Sequence, residues 1–114
     1  YLKSLKSLPT KLHKLINDFT PVAKKISKKI ALADACYFIG RNIGYPIALE
    51  GSLKLKEISY MHSEGFAGGE MKHGPIALID KGTITICIIP NNELYEKSLS
   101  NTQEISARKI TERE

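Results

Sequence analysis

Nothing in this sequence of 114 residues is long and apolar enough to cross a bilayer. The longest apolar run, Ile84 to Pro90, contains Thr85 and suits a buried strand. Cysteine is scarce: Cys36 and Cys87 each lie in an apolar run, Ala35–Gly40 and Ile84–Pro90. Two such residues without a secretory signal read as small buried hydrophobes, and the expected compartment is reducing and cytoplasmic. They lack CxxC spacing, and together with His62 and His73 they show no metal-ligand spacing, so no redox pair, metal or cofactor is expected. No arginine precedes Arg41, which removes from that stretch the residue type that does most specific base reading. No internal repeat is visible, and the opening Tyr1-Leu2-Lys3 carries neither Met nor a signal-peptide pattern, so the chain reads as a fragment.

What remains is ordinary globular material, with 42% hydrophobic and 25% charged residues and room for one domain with a modest core. The net charge of +5 is gathered before Ala31, in Lys3, Lys6, Lys11, Lys14, Lys24, Lys25, Lys28 and Lys29 against Asp18 alone. These lysines fall around the apolar series Leu8, Leu12, Leu15 and Ile16, which makes them the wet side of an amphipathic helix. Neither a nucleic acid nor a membrane is expected as partner.

Pro9-Thr10 predicts a helix through Asn17 or Asp18, and Thr20-Pro21 a restart toward Ile30. Residues 1–30 are thus a helical segment leading from a preceding domain, and 31–114 a separate α/β unit. Ala33–Gly40 reads as a buried strand ended by glycine. Pro46 to about Met61 reads as a helix, with Leu49, Leu53 and Tyr60 on one apolar flank and Ile47 and Ile58 on another. From Ser63 to Gly74 we expect a short extended piece, a loop and a brief helical turn. Ile84–Ile89 is a second buried strand, and Asn92 can cap a last helix from Glu93 onward. Strand, helix, strand, helix argues for a parallel sheet covered on both faces.

Glu50, Lys54 and Glu57 fall at i, i+4 and i+7 and form one stripe along the predicted helix. Such a stripe suits a solvated salt-bridge ladder as well as chemistry. Two neighbours favour chemistry. The helix follows a glycine-ended strand, so its beginning lies near the carboxyl edge where open α/β sheets hold ligands. A loop with four glycines, Gly65, Gly68, Gly69 and Gly74, follows it and carries His73, a side chain that titrates near neutrality. Carboxylate, lysine and histidine suit proton transfer beside a carbonyl, as aldose–ketose isomerisation requires.

The stretch Tyr45-Pro-Ile-Ala-Leu-Glu-Gly-Ser-Leu-Lys-Leu-Lys-Glu-Ile-Ser-Tyr60, with His62-Ser-Glu64, Gly69-Glu-Met-Lys-His-Gly-Pro75 and Pro90-Asn-Asn-Glu-Leu94, resembles one family closely. It is similar to the second sugar-isomerase (SIS) domain of the glucosamine-6-phosphate synthases, the glutamine–fructose-6-phosphate aminotransferases, over about Ala31 to Arg108. The resemblance implies a three-layer α/β/α sandwich with a parallel sheet, here incomplete, and sugar-phosphate binding. It implies that Glu57 moves the proton between C1 and C2, that Lys54 assists it, and that His73 opens the sugar ring. In the family this histidine reaches a neighbouring subunit, so a homodimer is implied; Glu50 would support the set from the same face.

Other family features are missing from these residues. The glutaminase domain and the serine- and threonine-rich phosphate loops of the first SIS domain are absent, and Gly40-Arg41-Asn42-Ile43-Gly44 offers backbone amides and Arg41 instead. The family's Schiff-base lysine would lie beyond Glu114, and Lys109-Ile-Thr-Glu-Arg-Glu114 departs from the family's usual glycines and strand. Two alternatives stay open: another phosphosugar isomerase or deaminase of the superfamily, and a non-catalytic regulatory module that binds a sugar phosphate.

Overall fold

A computed structural model describes residues 1–111, with side chains through Arg108; Lys109–Glu114, as a departure from the family pattern, lies largely outside them. The chain divides into two compact units, Tyr1–Leu32 and Ala33–Glu114.

The first unit is one helix, α1, Leu2–Ile30, unbroken by Pro9 or Pro21. This corrects the expectation of two helices. A proline inside a helix costs roughly 3 kcal/mol, but it removes only one backbone donor, and the many Leu and Lys residues elsewhere in α1 favour helix. Lys28 and Lys29 in the last turn complement the helix dipole. No residue of α1 is buried.

The second unit is built on β1, Ala35–Gly40, which lies at the centre of a three-stranded parallel sheet of order β2-β1-β3. β2 is His62–Ala67 and β3 is Thr83–Ile88, so the extended piece and both expected strands are present within one or two residues of their predicted bounds. Ala35 aligns with His62 on one side and with Thr83 on the other. All six residues of β1 are buried, which is why it reads as a continuous apolar run.

Its side chains alternate between two cores. Cys36 and Phe38 pack with Ala48 and Leu55 of α2, Gly44–Ser59, and with Ile84, Ile86 and Ile88 of β3. Ala35, Tyr37 and Ile39 face the other way, against Met71, Ile79 and Ile105. That second layer holds two 3-10 turns, Met71–His73 and Pro75–Leu78, and α3, Tyr95–Thr111. A helical layer therefore covers each face, giving the α/β/α arrangement.

Two expectations about the helices need correction. Leu49, Leu53, Ile47, Ile58 and Tyr60 of the α2 region are 41–93% exposed and do not form its inner face. The buried residues are Gly44, Ala48 and Ser52 instead. Small residues bring this helix close to the sheet: a Cβ on Gly51 would fall 2.8 Å from the Phe38 ring. Asn92 does receive the Leu94 amide at 3.0 Å, but it closes a turn ahead of α3, which starts at Tyr95, so Glu93 falls outside the helix.

Candidate functional site

The helical period sets Glu50, Lys54 and Glu57 on the outer face of α2, away from Ala48 and Ser52. The Lys54 ammonium lies 2.8 Å from Glu57 Oε2 and 3.6 Å from Glu50 Oε1. All three side chains are more than half exposed, so the ladder adds little to stability in water. Its electrostatic effect is specific nonetheless. The hydrogen bond and charge of Glu57, and then the charge of Glu50, hold the Lys54 pKa above its ordinary 10.5. Lys54 is a fixed cation facing two carboxylates, suited to offsetting negative charge that develops on an adjacent oxygen.

His73 is held differently. It ends the 3-10 turn Met71–His73, its backbone N–H bonds to Glu70 O at 3.0 Å, and its side chain is exposed. Met71, fully buried, plugs the turn into the core, while Gly74 beyond it takes a φ of 139°, a region other residues resist. His62 starts β2, exposed, with its ring edge-on to Tyr37. Tyr37 itself is buried, and burial, then Glu64 and Asp80, raise its pKa.

The sheet separates the two halves of this constellation. α2 packs with the Cys36 and Phe38 face of β1, and the Met71–His73 turn with the Tyr37 and Ile39 face. The α2 helix does begin at the carboxyl edge of the sheet, as its place after Gly40 implies, but Glu57 comes thirteen residues after Gly44. At 1.5 Å per residue that is about 20 Å along the helix, toward the opposite edge. Position at the carboxyl edge therefore applies to the start of α2 and to the loop after β2, not to Glu57.

At that edge lies a cavity of about 10 Å³, lined by Ile39, Gly40, Arg41, Cys87, Ser98 and Asn101. It holds roughly one water and no sugar. Arg41 spans its rim: Nε donates to Asn101 Oδ1 at 2.8 Å and Nη2 to Gly68 O at 3.2 Å. Asn101 was not singled out in sequence, although it is a polar residue four before buried Ile105 on α3, and such spacing was the available signal. Among the described residues no cluster of three or more His, Cys, Asp or Glu could hold a metal ion, and no helix is long and apolar enough to cross a membrane.

A parallel sheet between helical layers, with an acid–lysine–acid ladder on one crossover helix, is the architecture of a sugar-isomerase type domain. The chain belongs to the SIS domain family, whose profile matches residues 29–111. Within that family it is similar to glutamine–fructose-6-phosphate aminotransferases (isomerizing). It is 46% identical to the one from Methanosarcina acetivorans over 95% of this chain, and 48% identical to that of Corynebacterium glutamicum over 94%. A solved structure, the C-terminal domain of glucosamine-fructose-6-phosphate aminotransferase from Francisella tularensis, superimposes with a TM-score of 0.79 at 45% identity. That match covers 94% of this chain and 29% of the solved one. The chain spans 17–18% of the length of these two curated relatives.

Proposed function

We propose that this segment supplies the proton-transfer machinery of an isomerising glutamine–fructose-6-phosphate aminotransferase, a cytoplasmic enzyme of hexosamine synthesis. The substrate is fructose-6-phosphate. The observation that carries the reading is the Lys54 ammonium, 2.8 Å from Glu57 on an exposed helix face, in a chain so similar to those enzymes. Glu57 takes the proton at C1 and returns it at C2; Lys54, paired with that carboxylate, offsets the enediolate charge. Glu50 holds the second side of Lys54. His73 transfers the proton that opens the furanose ring.

Because the sheet lies between α2 and the Met71–His73 turn, a site using both draws them from two chains, which supports a homodimer. The segment alone has no means of releasing ammonia from glutamine and is expected to be inactive. The test is solvent-hydrogen exchange at C1 of fructose-6-phosphate in a full-length enzyme carrying this segment. Glu57→Gln should bind sugar but lose about 3–5 kcal/mol of transition-state stabilisation, at about 1.4 kcal/mol per tenfold in rate. Exchange at the parent rate would make Glu57 a structural ion-pair partner only.

A further inference from the structure

The loop that presents His73 is fastened by one face of α3. Asn101, Glu104 and Ile105 stand at i, i+3 and i+4 and meet the loop region at three points. Asn101 Oδ1 accepts from Arg41 Nε at 2.8 Å, and the same guanidinium donates through Nη2 to the carbonyl of Gly68 at 3.2 Å. Glu104 Oε1 lies 3.0 Å from the Lys72 ammonium, immediately before His73. Ile105 packs in the core that receives Met71, two residues before His73.

The three contacts differ in strength. The Lys72–Glu104 pair has side chains 63% and 33% exposed, and such a pair contributes little in water. The Arg41 contact is partly buried, and Asn101 is only 5% exposed. There is no slack around it: a Cβ on Gly68 would meet Arg41 Cγ at 3.0 Å and Asn101 Oδ1 at 3.1 Å. Gly68 N in turn donates to Gly40 O at 2.9 Å, so both polar groups of this glycine's peptides are tied where the loop leaves β2.

We propose that Arg41 and Asn101 are positioning residues for His73: Asn101 aims the Arg41 guanidinium, which pins the Gly68 carbonyl and so sets the reach of the loop. The proposal rests on the reading of His73 as the ring-opening group. It assigns Arg41 to the loop, whereas its place after β1 suggested a contact with ligand. A planar guanidinium can hold the amide oxygen and the carbonyl at once; an ammonium cannot reproduce that fork.

The test is made in a full-length enzyme carrying this segment, with two substrates. One is fructose-6-phosphate and the other its 5-deoxy analogue, which lacks the hydroxyl that closes the ring. Asn101→Ala should lower kcat for the cyclic sugar about tenfold to a hundredfold, the scale of a misplaced catalytic group, with KM little changed. The 5-deoxy analogue should be spared, Asn101→Asp should restore most of the loss, and Asn101→Ala should add nothing once His73→Ala is present. Equal losses on both substrates, or a further loss in the His73→Ala background, would overturn the proposal.

Amide exchange separates this from the reading of His73 itself. If His73→Ala turned over both substrates as the parent does, that reading would fall. The clamp would then stand on faster exchange at Glu70 and His73 in Asn101→Ala, whose amides bond to Ala67 O and Glu70 O. Unchanged exchange at those two amides overturns it.

Discussion

Replacing Met71 with alanine tests the layer in which His73 is hung. Met71 is 0% exposed and packs with Ala35, Tyr37, Ile39, Ile79 and Ile105. Truncating a buried methionine costs about 2–5 kcal/mol, from lost transfer energy and the cavity left behind. The middle of that range, about 3 kcal/mol, is large for this unit. At roughly 0.1 kcal/mol per residue, about 80 residues hold roughly 8 kcal/mol in all. Urea titration followed by circular dichroism should show the midpoint falling with the slope unchanged, and Tm should drop by about 10–20 °C. The internal control is Ile58→Ala. Ile58 belongs to an apolar flank of α2, yet it is 78% exposed, and its removal should cost no more than about 0.5 kcal/mol. Equal costs for the two variants would refute the placement of the Met71–His73 turn against the sheet.

Gly51→Ala should destabilise by about 1–3 kcal/mol in the same titration, because the added methyl would lie 2.8 Å from the Phe38 ring and force overpacking. Gly74→Ala meets no neighbouring atom, yet its φ of 139° should cost about 1–3 kcal/mol, and a neutral result would mean the turn relaxes freely. Lys54 titrates above 10.5 in the folded chain, so its ion pairs contribute fully below about 10.5 and are lost as pH rises through the raised value. Because these pairs are solvent-exposed, the readout is the titration of Lys54 itself by NMR, which should lie higher in the parent than in a Glu50→Gln, Glu57→Gln double variant; identical titrations would show the ladder is not formed.

β1 and β3 were legible because strands covered on both faces read as nearly unbroken apolar runs. Cys36-Tyr-Phe-Ile39 and Ile84–Ile89 could not be hidden any other way. The inner face of α2 was not legible. Apolar periodicity weighs side-chain size, whereas this helix is seated by Ala48, Ser52 and the bare backbone of Gly51. Of its large apolar residues Leu55 packs against the sheet, whereas Ile47, Leu49, Leu53 and Ile58 are exposed. The ladder Glu50–Lys54–Glu57 followed directly from helical spacing, and its ion pairs formed as that spacing requires. That the sheet stands between it and His73 depends on which face each crossover takes. Nothing local in either segment carries that information. Asn101 escaped notice for a related reason: its partner Arg41 is sixty residues away in the chain.

The lysine-rich first helix behaves as a polyelectrolyte. Lys24 and Lys28, and Lys25 and Lys29, are like charges at i, i+4, while Lys14–Asp18 is the one ion pair recorded on α1. With no buried residue to anchor it, its helical content should depend on the ionic strength around it. Added salt, which weakens surface ion pairs elsewhere, should here relieve self-repulsion within a Debye length of about 10 Å at 0.1 M and lengthen the helix. Raising the pH until the lysines lose their protons should do the same.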